Sequence, residues 1–528
     1  METFFDDPAK RTGAMTEVAQ IDRVEAPVEG DTTRSQIRGS SLLLSGRFLS
    51  MALNFGAQVY VVRYLSTTDY GALGYGLAVV AFLRLFATLG LHEGVSRFVP
   101  VYRENREYGK LFGTMCLAAG AVVLASGVLV IAVNELFFHY MGKDKLVLSL
   151  LSILLVLVPF EAADGVLDGL FASLAGTRDI FFRKYVLGPG LKLGVVLLLV
   201  QRHSSVTFLA YGLVATGAGA VVIYSWLLLR LLRTEQLLQR FSYKTISIPA
   251  RQVLAFVLPG ISATLATAAI PSINIFLLGW LRRLADVAYY RAAVPIAELN
   301  GIVLASFTLL YIPCAARLAA RENYVGLNKL YWDTSAWMSV LSFPIFAATF
   351  SFARPVVVFL YGARYAPSAP ALALLSLGSY LNVALGFNLQ TLKVLERLRY
   401  IIVVSVVAIL VNVLLSILFI PRFGATGAAA GAAIAVIGYN VLLQIGLRPA
   451  SGFKIVDRRY VSIYLLIGFS ACALYFLQVF RPLTVWTALP LAGCVFIVVL
   501  AVIRRKLSIA ETFPELLRVP LMRIILAQ

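Results

Sequence analysis

Three carboxylates interrupt an apolar stretch in the first third of the chain. Glu161, Asp164 and Asp168 lie within "LVPFEAADGVLDGLFASL" (157–174), which follows the apolar run "LVLSLLSILLVLV". Their i, i+3, i+7 spacing confines them to about 60° of a helix surface. A charge facing lipid costs about 2.5 kcal/mol or more at the bilayer centre, so the three should face a protein interior together.

Two kinds of chemistry suit this acidic face. The acids could form structural ion pairs with nearby basic residues, for which the sequence offers Arg84, Lys192, Arg178 and Arg183. Alternatively, Glu161 or Asp164 could take up a proton or Na⁺ and bias a conformational equilibrium. Both alternatives remain open from the sequence.

The rest of the chain indicates a membrane setting for these residues. Of 528 residues, 60% are hydrophobic and 14% charged, and the mean hydropathy is +0.84. Segments long enough to cross about 30 Å of hydrocarbon predict fourteen helices. Their approximate limits are 40–63, 71–96, 111–133, 146–172, 180–201, 206–230, 252–280, 286–313, 329–352, 369–394, 400–421, 425–447, 460–480 and 484–503. The fold class is therefore an all-α polytopic membrane protein.

Basic residues are concentrated in alternate loops. One set of loops contains groups such as Arg103 with Lys110, and Arg317 with Arg321, whereas the opposite set, including Arg63, Lys143 and Arg364, is poorer. The rich set should be cytoplasmic, which places both termini on the cytoplasmic side of the membrane. Because the net charge of +19 is spread over short loops and forms no basic stripe, nucleic acid is not an expected partner.

Few residues suggest cofactor chemistry. The four cysteines, Cys116, Cys314, Cys472 and Cys494, fall in apolar segments, and the three histidines lack metal-ligand spacing. We expect neither a metal nor another cofactor.

An internal repeat divides the chain. "RENREYGKL" (103–111) matches "RENYVGLNKL" (321–330), and Asp69 after the first span matches Asp286 after the seventh, at an offset of about 217 to 218 residues. The repeat predicts two six-helix lobes related by a pseudo-two-fold axis along the membrane normal. The predicted domains are a disordered tail (1–38), an N-terminal lobe (39–245), a C-terminal lobe (246–450), two additional helices (451–503) and a basic cytoplasmic tail (504–528).

Longer stretches of the sequence resemble a known family. "RYLSTTDYGALGYGLAV" and, above all, "FLYGARYAPSAPALALLSLGSYLNVALGFNLQTLKVLERLRYIIVVSVVAILVNVLLSILFIPRFGATGAAAGAAIAV" (359–436) are similar to prokaryotic polysaccharide flippases of the Wzx type in the MOP superfamily. The resemblance implies two lobes in a V and alternating access in the inner membrane for an undecaprenyl-pyrophosphate-linked oligosaccharide. Membrane lipids, a coupling H⁺ or Na⁺ and polysaccharide-assembly proteins are then the expected partners, and no catalysis is expected.

A carrier for such a substrate needs fixed cations in a wet groove. The candidates within spans are Arg47, Arg84, Lys192 and Arg291, of which Arg47 shares a helical face with Asn54 and Gln58. Arg291 shares a face with Glu298, seven residues on, which joins the acids as a candidate for ion coupling. The alternative for Arg47 and Arg291 is snorkelling to the membrane surface, and for Arg84 and Lys192 it is ion pairing with the acids.

Rival functions differ in what they would require. A multidrug or cation antiporter of the same superfamily should have an acidic or aromatic cavity, whereas this chain offers both signs of charge. A membrane glycosyltransferase or polymerase would usually need a sizeable extramembrane loop or a surface carboxylate cluster, and the predicted outer loops are short.

Overall fold

A computed structural model gives an α-helical membrane protein. It describes residues 29–503 except 89, 141–144, 176, 242–244, 449–452 and 455, and within that range it leaves out the side chains of 29–41, 44, 137–140, 177–178, 258–269 and 309.

The described residues of the N-terminal half form nine α-helices, most of them apolar over their length. They are α1 (Glu29–Tyr64), α2 (Thr67–Thr88), α3 (Leu91–Glu104), α4 (Tyr108–Tyr140), α5 (Lys145–Leu155), α6 (Leu157–Leu174), α7 (Thr177–Phe181), α8 (Gly188–Gln201) and α9 (Val206–Thr234). A π-helical turn, Phe182–Leu187, joins α7 to α8.

Ten further α-helices are described in the rest of the chain. They are α10 (Ala250–Leu281), α11 (Leu284–Glu298), α12 (Gly301–Ala320), α13 (Tyr324–Phe346), α14 (Ala353–Tyr361), α15 (Ala369–Ala384), α16 (Asn388–Val394), α17 (Leu398–Gly446), α18 (Arg458–Phe480) and α19 (Val485–Ile503). A π-helical turn, Ala347–Ser351, follows α13, and a 3₁₀ turn, Ala363–Ser368, follows α14.

The all-α membrane fold is confirmed. Among the described residues, nine helical segments are long and apolar enough to cross a membrane, or eleven if each of two sharply bent pairs is one span. The count of fourteen stays a prediction, as do the domain boundaries. The first described helix is present from Glu29 onward, before the predicted start of the first span, and residues 1–28 and 504–528 of the predicted tails lie outside the described residues.

Side-chain contacts tie together loops on the same end of the molecule. At the end that carries the loops rich in basic residues, which we call the basic end, Arg103 pairs with Glu235, and Tyr102 donates to Gln252. At the opposite end, the Tyr64 hydroxyl donates to the Ser204 carbonyl. The alternate loops that the charge pattern grouped together are thus neighbours in space.

The two repeated loops have the same local conformation. Arg106 and Glu322 follow the ends of α3 and α12 with φ of 56° and 54°, and the next helix begins two residues later at Tyr108 and Tyr324. Such left-handed residues commonly end helices because they let the chain turn while its last carbonyls are satisfied.

The long helix α17 is a hairpin of two antiparallel arms. Gly424, with φ 55° and ψ −130°, breaks the helix, and a Cβ there would lie 2.5 Å from an Asp286 carboxylate oxygen. On the two arms, Gly431 lies against Ser416 and the Tyr400 hydroxyl donates to the Leu442 carbonyl. The two spans predicted at 400–421 and 425–447 are these arms.

The two halves meet along α2 and α11, near the end of the molecule opposite the basic end. Gly71 approaches Leu284 so closely that a Cβ on the glycine would lie 2.0 Å from the Leu284 carbonyl oxygen. Gly74 likewise lies against the Arg291 side chain. Small residues let membrane helices approach closely, which gives packing where lipid supplies no hydrophobic driving force.

Candidate functional site: a charged groove along helix α2

One face of α2 carries the polar residues that the structure brings together. Tyr70, Leu77 and Arg84 repeat at intervals of seven residues and therefore lie on one stripe of the helix. This stripe is adjacent to the glycines that contact α11, and it faces partners from α1, α6 and α11. We call this stripe, together with its partner residues, the α2 groove.

Three helices meet at the end of the groove that lies near the opposite end of the molecule. Gln58 of α1 donates to the Tyr70 hydroxyl at 3.3 Å, and Arg291 of α11 interacts with the same hydroxyl. Arg291 also donates to the Gly74 carbonyl at 2.9 Å, an oxygen in the middle of α2. Arg291 is thus held inside the protein by contacts across the two halves, which argues against simple snorkelling.

Deeper in the groove, Arg84 faces the first of the three acids. Its guanidinium Nη1 lies 3.6 Å from Glu161 Oε2 on α6, and the two side chains are 47% and 30% exposed. The distance and exposure describe a loose ion pair that a competing anion can reach. A pair of this kind lowers the cost of both charges without immobilising either.

Two further predicted basic residues stand apart from this pair. The first, Arg47, is exposed on α1. It shares a helical face with Asn54, which is also exposed, and with Gln58, which contacts Tyr70 in the groove. Lys192 is exposed on α8, which packs against α1. Among the described residues, Lys192 makes no ion pair with Glu161, Asp164 or Asp168.

The other two acids of α6 share one buried arginine. Arg183, 2% exposed, reaches Asp164 at 2.7 Å and Asp168 at 2.5 Å, while the exposed Lys184 lies 3.1 Å from Asp168. The guanidinium carbon of Arg183 lies 4.8 Å from the Phe171 ring centre and 4.4 Å from that of Tyr224, whose hydroxyl donates to the Arg183 carbonyl. This geometry favours the structural ion-pair interpretation for Asp164 and Asp168.

The sequence named Arg183 only as one of several possible partners of the acids. The chain runs as helix through α7 and the π-helical turn, and this aims the Arg183 side chain at α6. The available signal was the spacing itself, since a basic residue soon after an intramembrane acidic face is an obvious candidate to neutralise it.

A separate cavity of about 370 Å³ lies within the C-terminal half. Helices α10, α11, α12, α15 and α17 line it, and its polar groups include Glu298, Asn382, Ser405 and Tyr439. Among the described side chains, no basic group lies within ion-pair distance of Glu298, and the charge of Arg291 acts on it from further away. The hydroxyls of Ser405 and Tyr439 are adjacent, and neither makes a hydrogen bond of ordinary geometry with a described residue.

A second polar cluster in the C-terminal half was missed from the sequence. Asn274 of α10 exchanges hydrogen bonds with Asn412 of α17, and it also bonds Tyr290 and Ser416. All four side chains are buried, and they satisfy one another, which indicates a structural tie between helices. Asn412 and Ser416, four residues apart in an apolar span, were the signal in the sequence.

Comparison with known proteins places this arrangement in a family. The family described as "Polysaccharide biosynthesis protein" matches residues 37–319, more than half of the chain, and the chain belongs to it. No curated protein matches by sequence.

Solved structures show the same fold at low sequence identity. A lipid II flippase MurJ in an inward closed conformation aligns with TM-score 0.67 and 16% identity, covering 88% of this chain and 99% of that one. An inward-facing multidrug resistance MATE transporter of the MOP superfamily gives 0.60 and 16%, covering 80% and 95%. A MATE protein in complex with MaD5 gives 0.55 and 17%, covering 80% and 98%. The family match confirms the predicted resemblance to a polysaccharide family, and the solved structures that share the fold include a flippase and multidrug transporters.

Proposed function

We propose that this protein is a flippase that moves an undecaprenyl-pyrophosphate-linked oligosaccharide from the inner to the outer leaflet of the cell's inner membrane by alternating access. The observation that carries the proposal is the α2 groove, where Arg291 of α11 contacts Tyr70 at one end of the stripe and Arg84 lies fourteen residues further along α2. The family match to polysaccharide biosynthesis supports the substrate class.

The groove suits a pyrophosphate because of its loosely held cation. A guanidinium binds phosphate through two parallel hydrogen bonds, and a doubly charged anion competes well with the single carboxylate 3.6 Å away. Arg47 and Lys192, both exposed, would supply further positive charge along the path of the head group. The polar oligosaccharide would lie in the wet groove while the polyprenyl tail stays in lipid.

Ion coupling follows from the same geometry. When the pyrophosphate binds Arg84, Glu161 loses its ion-pair partner and becomes a better site for a proton or Na⁺. Glu298 is the second candidate, because it faces a cavity that holds hydroxyl and amide oxygens and no ion-paired cation among the described residues. Asp164 and Asp168 would instead keep Arg183 in place.

The basic end would face the cytoplasm, where assembly of the lipid-linked oligosaccharide supplies substrate. The contacts between α2 and α11 then close the groove toward the outside. Polysaccharide-assembly proteins would receive the translocated product.

Transport by purified protein in vesicles tests the proposal. The probe is undecaprenyl pyrophosphate bearing a fluorescent sugar, and the signal is the fraction quenched by membrane-impermeant dithionite over time. The wild-type protein should accelerate exchange, and Arg84→Ala should slow it about tenfold or more because a charge-assisted hydrogen bond is worth roughly 1.5–3 kcal/mol. Arg84→Lys should recover only part of the rate, since the bidentate geometry is lost.

Arg354→Ala is the matched control, because Arg354 is exposed on α14 and outside the groove. If wild-type vesicles exchange no faster than empty ones, the flippase proposal fails; if only the Arg84→Ala result is normal, the groove assignment fails. An imposed H⁺ or Na⁺ gradient tests coupling: Glu298→Gln or Glu161→Gln should abolish the gradient dependence while exchange persists.

The second candidate function is cation or drug antiport, which the fold shared with MATE transporters favours. Efflux of a cationic dye against a proton gradient, with no movement of the lipid probe, would support it. The positive charge along the α2 groove favours an anionic substrate instead.

A further inference from the structure

Two arginines at the opposite end of the molecule make reciprocal contacts between the halves. Arg63, in the last turn of α1, donates from Nε to the Leu360 carbonyl at 2.6 Å and from Nη2 to the Phe359 carbonyl at 2.5 Å. Arg364, just after α14, donates from Nη2 to the Val62 carbonyl at 2.6 Å and also to the Arg63 carbonyl.

The acceptors are the free carbonyls of helix ends. The last four carbonyls of a helix have no partner within the helix, and together they carry a partial negative charge. The Arg63 guanidinium therefore satisfies the end of α14, and the Arg364 guanidinium satisfies the end of α1. Each arginine caps the C-terminus of a helix in the other half. A planar guanidinium can donate to two carbonyls at once.

Aromatic residues surround this contact and link it to the α2 groove. Tyr365 is fully buried beside Arg364, and its ring meets Tyr70 and Tyr289 edge-on, with ring centres 6.4 Å and 6.0 Å apart. Tyr70 is also the residue that Gln58 contacts at the end of the groove. The arginine contacts therefore lie over the end of the groove.

We propose that Arg63 and Arg364 form a latch that holds the opposite end of the groove closed, and that its release sets the population of the conformation open at that end. The proposal rests on the alternating access proposed above. Any rocking of the halves that opens this end separates α1 from α14 and exposes both sets of carbonyls. The acceptors are neutral backbone groups, so the latch opens by mechanical separation of the helix ends and needs no titration of an acid.

Distances between spin labels across this end test the latch in the full-length protein. Labels at Gln201→Cys and Pro482→Cys, both exposed, are measured in lipid nanodiscs by electron–electron double resonance, with the four native cysteines replaced by serine. Arg63→Ala and Arg364→Ala should each increase the population at long distance about tenfold or more, and the double variant should increase it further. Arg354→Ala is the matched control, since this arginine lies on α14 itself and is exposed.

The outcomes separate the latch from the transport proposal. If both single variants and the double variant give the wild-type distance distribution, the latch is wrong, whatever the transport assay shows. If the wild-type protein moves no lipid probe yet the distances still lengthen in the variants, the latch stands and the flippase proposal fails. Should an alanine variant not fold, Arg63→Gln or Arg364→Gln, which keeps length but offers fewer donors, gives the same readout.

Discussion

At the scale of single residues, the three acids of α6 divide into two groups. Asp164 and Asp168 share Arg183, which is buried between two aromatic rings, whereas the ion-pair partner of Glu161 among the described residues is the loosely held and exposed Arg84. The helical spacing alone did not distinguish the three acids of α6, whereas the burial and geometry of their partners do. The pair on Arg183 suits a structural role, and Glu161 is left for the proposed coupling.

Removal of Arg183 should destabilise the protein strongly. Arg183→Ala leaves two partly exposed carboxylates without their buried partner, and leaving such groups unpaired costs about 1–3 kcal/mol. Lys184→Ala is the matched control from the next position, because its contact with Asp168 is exposed and worth about 1 kcal/mol or less. Thermal unfolding in detergent, followed by tryptophan fluorescence, should show a large fall in Tm for the first variant and a small one for the second. Equal Tm values would contradict the structural assignment.

At the scale of helices, close approach depends on glycines at particular positions. On α2, Gly71 and Gly74 allow α11 to come so near that Arg291 can reach a backbone carbonyl of α2. Since this contact closes one end of the groove, helix packing and access to the groove are coupled. A glycine also shapes α17, because Gly424 supplies the turn between the two arms of the hairpin.

A methyl group at Gly71 should force these helices apart. The new Cβ of Gly71→Ala would lie 2.0 Å from the Leu284 carbonyl oxygen, an approach that requires backbone movement. The distance between labels at Gln201 and Pro482 should therefore lengthen, as in the latch variants. Gly56→Ala on α1 is the control, because nothing lies within 4 Å of a Cβ there. An unchanged distance in Gly71→Ala would show that α11 does not limit closure of this end.

At the scale of the whole molecule, the two ends differ in charge, and this difference predicts orientation. Cysteines at Glu104 and Arg399, both exposed at the basic end, should be protected from a membrane-impermeant maleimide in intact cells. Cysteines at Arg202 and Arg481, exposed at the opposite end, should react. Labelling after permeabilisation confirms that all four sites are accessible in principle, and the reverse pattern in intact cells would invert the proposed direction of transport.

The sequence by itself determined the class of fold and the supply of charged residues. Apolar runs of membrane length predict helices because the backbone in lipid must satisfy its own hydrogen bonds, and helical spacing placed Glu161, Asp164 and Asp168 on one face. The family resemblance came from the segment 359–436 and the first loop, and the family match over residues 37–319 covers only the second of these. These are local properties, and each can be assessed from neighbouring residues alone.

Only the tertiary structure decided which charges meet. Arg183 reaches Asp164 and Asp168 because a π-helical turn sets its direction, and Arg63 and Arg364 become partners only when helices about 300 residues apart in sequence end side by side. Helical periodicity gives the face on which a residue lies, but it does not specify the neighbouring helix on that face. That choice depends on the packing of the whole chain, and it separates the buried structural pair from the exposed one that a substrate can reach.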